Sequence, residues 1–292
     1  MVARVAVGMT IGDEHRALLR RVCGDGDLQI APLAGGLHGR CFRVTSACCD
    51  LALRLPSGVD SGPFRLAAEA ERRLIGAASA AGLSPAAVEI AADDGLLATR
   101  FLAGARPWSS SDARHRANIE RFGPRLRALH ALDVELPPYR VQEAAEHYAH
   151  HAASSMSLNT VQRGWRDELL QLAERFAVRY PATVPCHNDL VASNILDGGE
   201  LWLIDFEYAV ASAPILDLAG FAAFNGLDGT GRARLIDAYY ADRRVPFDAD
   251  ALDTVVRHVR LLSYFWSLTQ AGSAPSDAAA SGFADAMAAM LR

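Results

Sequence analysis

Lysine is missing from this 292-residue chain, in which all 29 basic residues are arginine. Alanine is correspondingly abundant, so an arginine where a lysine is usual elsewhere says little by itself. Blocks of basic charge are also missing, and the 34 acids outnumber the 29 cations for a formal charge of −5. Such a balance argues against nucleic acid or an anionic membrane as partner. Cysteine is sparse: Cys23, Cys41, Cys48, Cys49 and Cys186 form an odd set without C-x-x-C or mixed Cys/His spacing. That excludes a zinc module and reads as reduced thiols in a cytoplasm. No uncharged stretch is apolar along enough of its length to span a bilayer, and MVARVAVGMTIGDE has too short an apolar run for a signal peptide. Solenoid repeats and low-complexity tails are absent as well. With 51% hydrophobic residues, what remains is a soluble, globular, cytoplasmic chain with a sizeable core.

The pattern along the chain changes character once. Through residue 101 it reads as strands with one helix. DLQIAPLA, GRCFRVTS and DLALRLP are short β-rich runs, and VEIAADDGLLATRF reads as two strands around a DDG turn. RLAAEAERRLIGAASAA, residues 65–81, is a helix by propensity, and Gly82 is its stop. FLAGARPW then loses periodicity around Gly104 and Pro107. The division expected is 1–101, a connecting segment 102–108, and a helical part 109–292. Helices are expected over 112–131 (interrupted at Pro124), 141–155, 161–179, 215–225, 231–242, 249–271 and 277–291, with short strands near 195–196 and 201–204.

Within the helical part lies CHNDLVASNILDGGELWLIDFEYA, residues 186–209, where Asp189, Asn194 and Asp205 interrupt apolar, strand-like text. Asp205 follows Leu201-Trp202-Leu203-Ile204, a place where an unpaired carboxylate is costly. A metal ion is the simplest partner. Phosphoryl transfer asks for this set: a carboxylate to orient the attacking hydroxyl, and hard oxygen ligands for Mg²⁺. On this reading Asp189 is the base, while Asn194 and Asp205 hold the ion after the hairpin IL-DGGE-LWLI returns the chain.

The segment resembles the H-x-D-x4-N loop and the D-F-G-like motif of protein-kinase-like enzymes. In the form HNDL…NIL…LIDFEYA it resembles the aminoglycoside phosphotransferase and choline kinase superfamily, and IDFEYA leans toward the choline/ethanolamine and thiamine kinase branch. The resemblance implies a bilobal α+β fold, a small β-rich lobe before a larger helical one, with ATP and Mg²⁺ as cofactors. It implies structural roles beside the site for His187 and for Asp217 in PILDLA. LAGGLHGRCFRV is similar to the turn over the nucleotide phosphates, which would place the backbone of Gly35, Gly36, Leu37 and His38 there; Gly39 stands where asparagine is usual. LALRLP resembles the strand bearing the phosphate-binding cation, here Arg54, with Glu71 as its partner and Glu69 as the alternative. Phe101 and Leu102 would take the adenine through their backbone.

The acceptor is less marked. LLSYFWSLTQ resembles a choline kinase stretch carrying two tryptophans; Trp266 matches the first and Thr269 stands at the second. A later acidic position falls near Phe224, and Phe283 could supply an aromatic from the last helix. Trp266 and Glu207 are the candidate acceptor-binding residues. The expected partner is a small-molecule hydroxyl, an amino alcohol such as choline or ethanolamine, or thiamine; an aminoglycoside or sugar is the alternative. An inactive nucleotide-binding scaffold is the reading from another class, yet all three site residues are present. A protein kinase would show an activation segment ending in A-P-E, and none follows Asp205.

Overall fold

In a computed structural model the chain is described over residues 11–24, 26–33, 41–55, 64–88, 96–240, 248–273 and 278–292. Five short strands form the first sheet: β1 (Gln29–Pro32), β2 (Cys41–Thr45), β3 (Asp50–Arg54), β4 (Ala87–Val88) and β5 (Leu97–Arg100). They lie in the order β1-β2-β3-β5-β4, with every neighbouring pair antiparallel. Strand alternation explains what each face does. Leu51 and Leu53 of β3 are buried with Phe42 and Val44 of β2 in a small core. Arg54, next along β3, faces the other way.

The small core is closed by a helix the periodicity did not reveal, α1 (Asp13–Cys23), through Leu19 and Cys23. The first hundred residues therefore hold two helices rather than one. DEHRALLRRVC is five-elevenths charged, and the few apolar positions that bury against the sheet make a weak signal. A second correction concerns the thiols. Cys23 at the end of α1 and Cys49 in the β2–β3 turn form a disulfide, with Cα atoms 5.3 Å apart, while Cys41, Cys48 and Cys186 are free. The two are 26 residues apart, and only the folding of the β2–β3 hairpin onto α1 brings them together.

On the opposite face lies α2 (Ala68–Ala80), whose buried residues Glu71, Leu74, Ile75 and Ala78 follow the spacing of one helical stripe. The three apolar members join the larger core, so α2 ties the sheet to the helical remainder. The chain reaches that remainder through β6 (Arg106–Pro107), which pairs with β8 (Ile195–Asp197) and through it with β9 (Leu201–Leu203). Two further strands the sequence did not show, β7 (Val184–Cys186) and β10 (Val210–Ser212), pair with each other. At three residues each they are too short for period-2 alternation to register.

The helices are α3 (Ser110–Arg114), α4 (Arg116–His130), α5 (Val141–Ser155), α6 (Thr160–Arg179), α7 (Ile215–Asn225), α8 (Gly229–Tyr240), α9 (Ala249–Ser273) and α10 (Ala278–Leu291). The break expected at Pro124 falls instead at His115, which is extended (φ −69°, ψ 130°), and Pro124 sits inside α4. The bond it forgoes would have ended on the carbonyl of exposed Glu120, which solvent can satisfy. Just before it, Gly123 marks the contact of α4 with α8: a Cβ there would lie 2.5 Å from the Ala238 carbonyl carbon. Gly123→Ala must push backbone from backbone and should cost about 1–3 kcal/mol. A denaturant midpoint equal to wild type would show that α8 can retreat. Among the described residues, no helix is long and apolar enough to cross a membrane.

Candidate active site

The site is built on the loop after β7. Its anchor is Asp217 in the first turn of α7, fully buried. One carboxylate oxygen accepts from the backbone N–H of His187 (2.7 Å) and from His130 Nε2 (3.0 Å), while the other accepts from the Asn188 N–H (2.8 Å). A buried carboxylate surrounded by donors in this way is satisfied, which offsets its desolvation. Asn188 adopts a left-handed φ of 61°, a conformation that asparagine tolerates better than most residues, and donates to Tyr208 O (3.1 Å). His187 is buried and donates from Nε2 to Ile204 O (2.9 Å). Burial pushes its pKa down, so it is neutral. The two buried residues expected beside the site thus stitch the loop to the strand that leads into Asp205.

Asp189 follows. Asn194 Nδ2 donates both to its Oδ2 and to its main-chain oxygen, each at 2.9 Å, which leaves the Asn194 amide oxygen for another partner. Burial, then the charges of Asp205 and Glu207, push the Asp189 pKa up to about 8. The turn of the β8–β9 hairpin is pinned by Arg121, which reaches both Asp197 carboxylate oxygens at 2.8 and 3.0 Å. Past β9 the chain turns at Asp205, also left-handed at φ 66°. A non-glycine residue held there stores backbone strain of the kind concentrated at working sites.

Arg54 reaches the same point from β3. It pairs with Asp205, with Glu71 (2.6 Å) and, more loosely, with Glu207 (3.5 Å). Burial works against its charge, but Glu71, Asp205 and Glu207 outweigh it and the pKa rises. The choice between the two helix acids follows from the α2 stripe. Glu71 is on the buried face, whereas exposed Glu69 pairs with Arg73 one turn on (3.0 Å). Glu71→Gln keeps the shape and removes the charge, so it should destabilise the fold by about 1–2 kcal/mol. An unchanged urea midpoint would mean that Asp205 and Glu207 hold Arg54 without it.

Arg54, Asp189, Asn194, Asp205 and Glu207 line one cavity of about 470 Å³, and Trp266 lines it too. Phe101 and Leu102 do not: the Phe101 N–H donates to Asp50 O (2.9 Å) and its ring lies under Arg43 (4.1 Å). Gly35, Gly36, Leu37 and His38 lie outside the described residues. Sequence reasoning missed Arg65, which pairs with Glu207 at 2.7 Å while the Leu66 N–H donates to Glu207 O at 2.7 Å. It also missed Phe64, Tyr139, Tyr148 and Tyr208 on the cavity wall. Nothing in their spacing distinguishes them from core; only Asn188, beside an aspartate in a turn, carried a readable signal.

A carboxylate facing a cleft beside an amide oxygen and a second carboxylate, with an Arg–Glu pair across from them, defines a group-transfer site of the phosphotransferase kind. Over residues 29–252 the sequence matches the phosphotransferase enzyme family, APH, and the chain belongs to it. It is a phosphotransferase. Among solved structures, a choline/ethanolamine kinase family protein from Mesorhizobium loti matches with a TM-score of 0.76 at 23% identity, over 96% of this chain and 92% of that one. Choline kinase from Streptococcus pneumoniae matches at 0.78 and 14%, over 96% and 99%. Spectinomycin phosphotransferase, in complex with ADP and spectinomycin, matches at 0.66 and 13%, over 97% and 96%. At these identities the likeness establishes the α+β kinase-like fold. No curated protein matches the sequence.

Proposed function

We propose that the protein transfers the terminal phosphoryl group of ATP, with Mg²⁺, to a hydroxyl of a small molecule. The observation that carries the reading is the shared cavity, where Arg54, Asp189, Asn194 and Asp205 meet although they come from β3, the loop after β7 and the end of the β8–β9 hairpin. Residues 1–101 would form the nucleotide-binding lobe, 102–108 the hinge, with the Phe101 and Leu102 backbone at the adenine, and 109–292 the catalytic lobe.

The residues fit a magnesium ion. The Asn194 amide oxygen and the Asp205 carboxylate are hard oxygen donors, and the neighbourhood is rich in carboxylate: the charge of Asp205 helps to raise the pKa of both Asp189 and Glu207. An ion held by Asn194 and Asp205 would supply positive charge to the phosphate oxygens. Arg54 would add a second positive charge there, held in place by buried Glu71. Asp189 would accept a hydrogen bond from the incoming hydroxyl and then its proton. With Asp205 neutralised, part of the push on Asp189 disappears, and its ionised form gains at neutral pH. Amino alcohols, thiamine, aminoglycosides and sugars are the acceptor classes the resemblance brings in.

The test is nucleotide binding as a function of Mg²⁺. Asp205→Ala should lower Mg²⁺-dependent ATP affinity about tenfold, since one charge-assisted contact is lost. A titration curve indistinguishable from wild type would remove Asp205 from the metal site.

A further inference from the structure

We propose that the acceptor is an alcohol without positive charge, carried on an aromatic or alicyclic body; this rests on the kinase reading and names its substrate class. Beyond Asp189 the cavity is walled by Phe64, Tyr139, Tyr148, Phe224, Trp266 and Phe283, from the segment before α2, the entry to α5, α5 itself, α7, α9 and α10. The whole cavity, phosphoryl-transfer end included, is about 470 Å³, and its end beyond Asp189 is the aromatic one. Choline or ethanolamine would leave most of that apolar wall unfilled.

Charge points the same way. Among the described residues, the carboxylates on the cavity wall are Asp189, Asp205 and Glu207. All belong to the phosphoryl-transfer end, and Asp205 and Glu207 are already paired with Arg54 and Arg65. A cationic acceptor wants an aromatic face and an unspent acid close to it. The wall supplies faces, but one of them is taken by the protein's own cation. Arg140, which lines the cavity at the entry to α5, sets its guanidinium 5.2 Å from the Phe64 ring centroid. Arg140 also pairs with Glu143 (2.9 Å), but the arginine and not the acid lines the cavity, so a second cation entering there meets a like charge first. A neutral ring meets apolar surface.

The pair 1-phenyl-1-propanol and protonated 2-amino-1-phenylethanol, which differ only by a methyl in place of an ammonium, separates charge from shape. Calorimetric titration of the full chain with Mg²⁺·ADP should show the neutral alcohol binding at least tenfold more tightly. Arg140→Glu should shift the ratio at least tenfold toward the cation, and Arg140→Met should narrow it. Equal or tighter binding of the cation, an unmoved ratio in both variants, or no binding of either probe at millimolar concentration overturns the acceptor class. The kinase reading is read separately, from acceptor-independent ATP hydrolysis in wild type and Asp189→Asn. Hydrolysis lost in the variant, together with tighter binding of the cation, sinks the acceptor class alone. Hydrolysis untouched in the variant removes the kinase reading first.

Discussion

Asp189→Asn is expected to lower turnover by about 10²–10⁴-fold, the range for losing a positioned general base, with ATP affinity retained. The amide keeps the size of the carboxylate and can still accept from Asn194, so the loop should hold its shape. What disappears is the ability to take the hydroxyl proton. Steady-state kinetics with a saturating acceptor check it, and turnover within threefold of wild type would take the role away from Asp189. The same variant should have an opposite effect on stability in metal-free protein. Asp189 has its pKa raised from 3.8 to about 8 in the fold, so its protonated form is favoured there. Its contribution is therefore fully present below pH 3.8 and is lost as pH rises through about 8. Asparagine cannot ionise, and metal-free Asp189→Asn should melt above wild type at pH 9. A lower melting temperature at that pH would show that the carboxylate is not strained by its neighbours.

Asp217→Ala is expected to cost about 3–5 kcal/mol of stability, as for breaking a buried charged network. The variant strips the partner from the N–H groups of His187 and Asn188 and from His130 Nε2, in a place that water does not reach. Asp217→Asn keeps one acceptor and should cost less, which preserves the comparison if the alanine variant does not fold. Equal denaturant midpoints for wild type and both variants would mean that the loop finds other partners. Loss of activity should accompany loss of stability here, because Asn188 and Asp189 follow directly on the bonded amides.

Most helices from α4 to α10 were legible because they carry an amphipathic pattern over three turns or more; α7 is instead apolar nearly all round, with nine of its eleven residues buried. Arg54 was legible through the resemblance of LALRLP to a strand that bears a phosphate-binding cation. Helix α1 escaped because charge dominates its text, and β7 and β10 because three residues cannot display a period. Arg65 and Arg140 look like any arginine in a chain with 29 of them. Their importance comes from what stands opposite, Glu207 in one case and Phe64 in the other.

The order of chemical groups, Asp189 then Asn194 then Asp205, was determined by sequence alone, since spacing along a loop and a hairpin is local. So was the division into a strand-rich beginning and a helical remainder, which periodicity carries. Tertiary structure decided which helix acid meets Arg54, which cysteines meet, and which rings wall the acceptor end. Those are contacts between segments apart in sequence, by 17 residues for Arg54 and Glu71 and by 26 for the disulfide. Their geometry follows from how the sheet, α2, α5 and α9 pack together, and no local pattern encodes it.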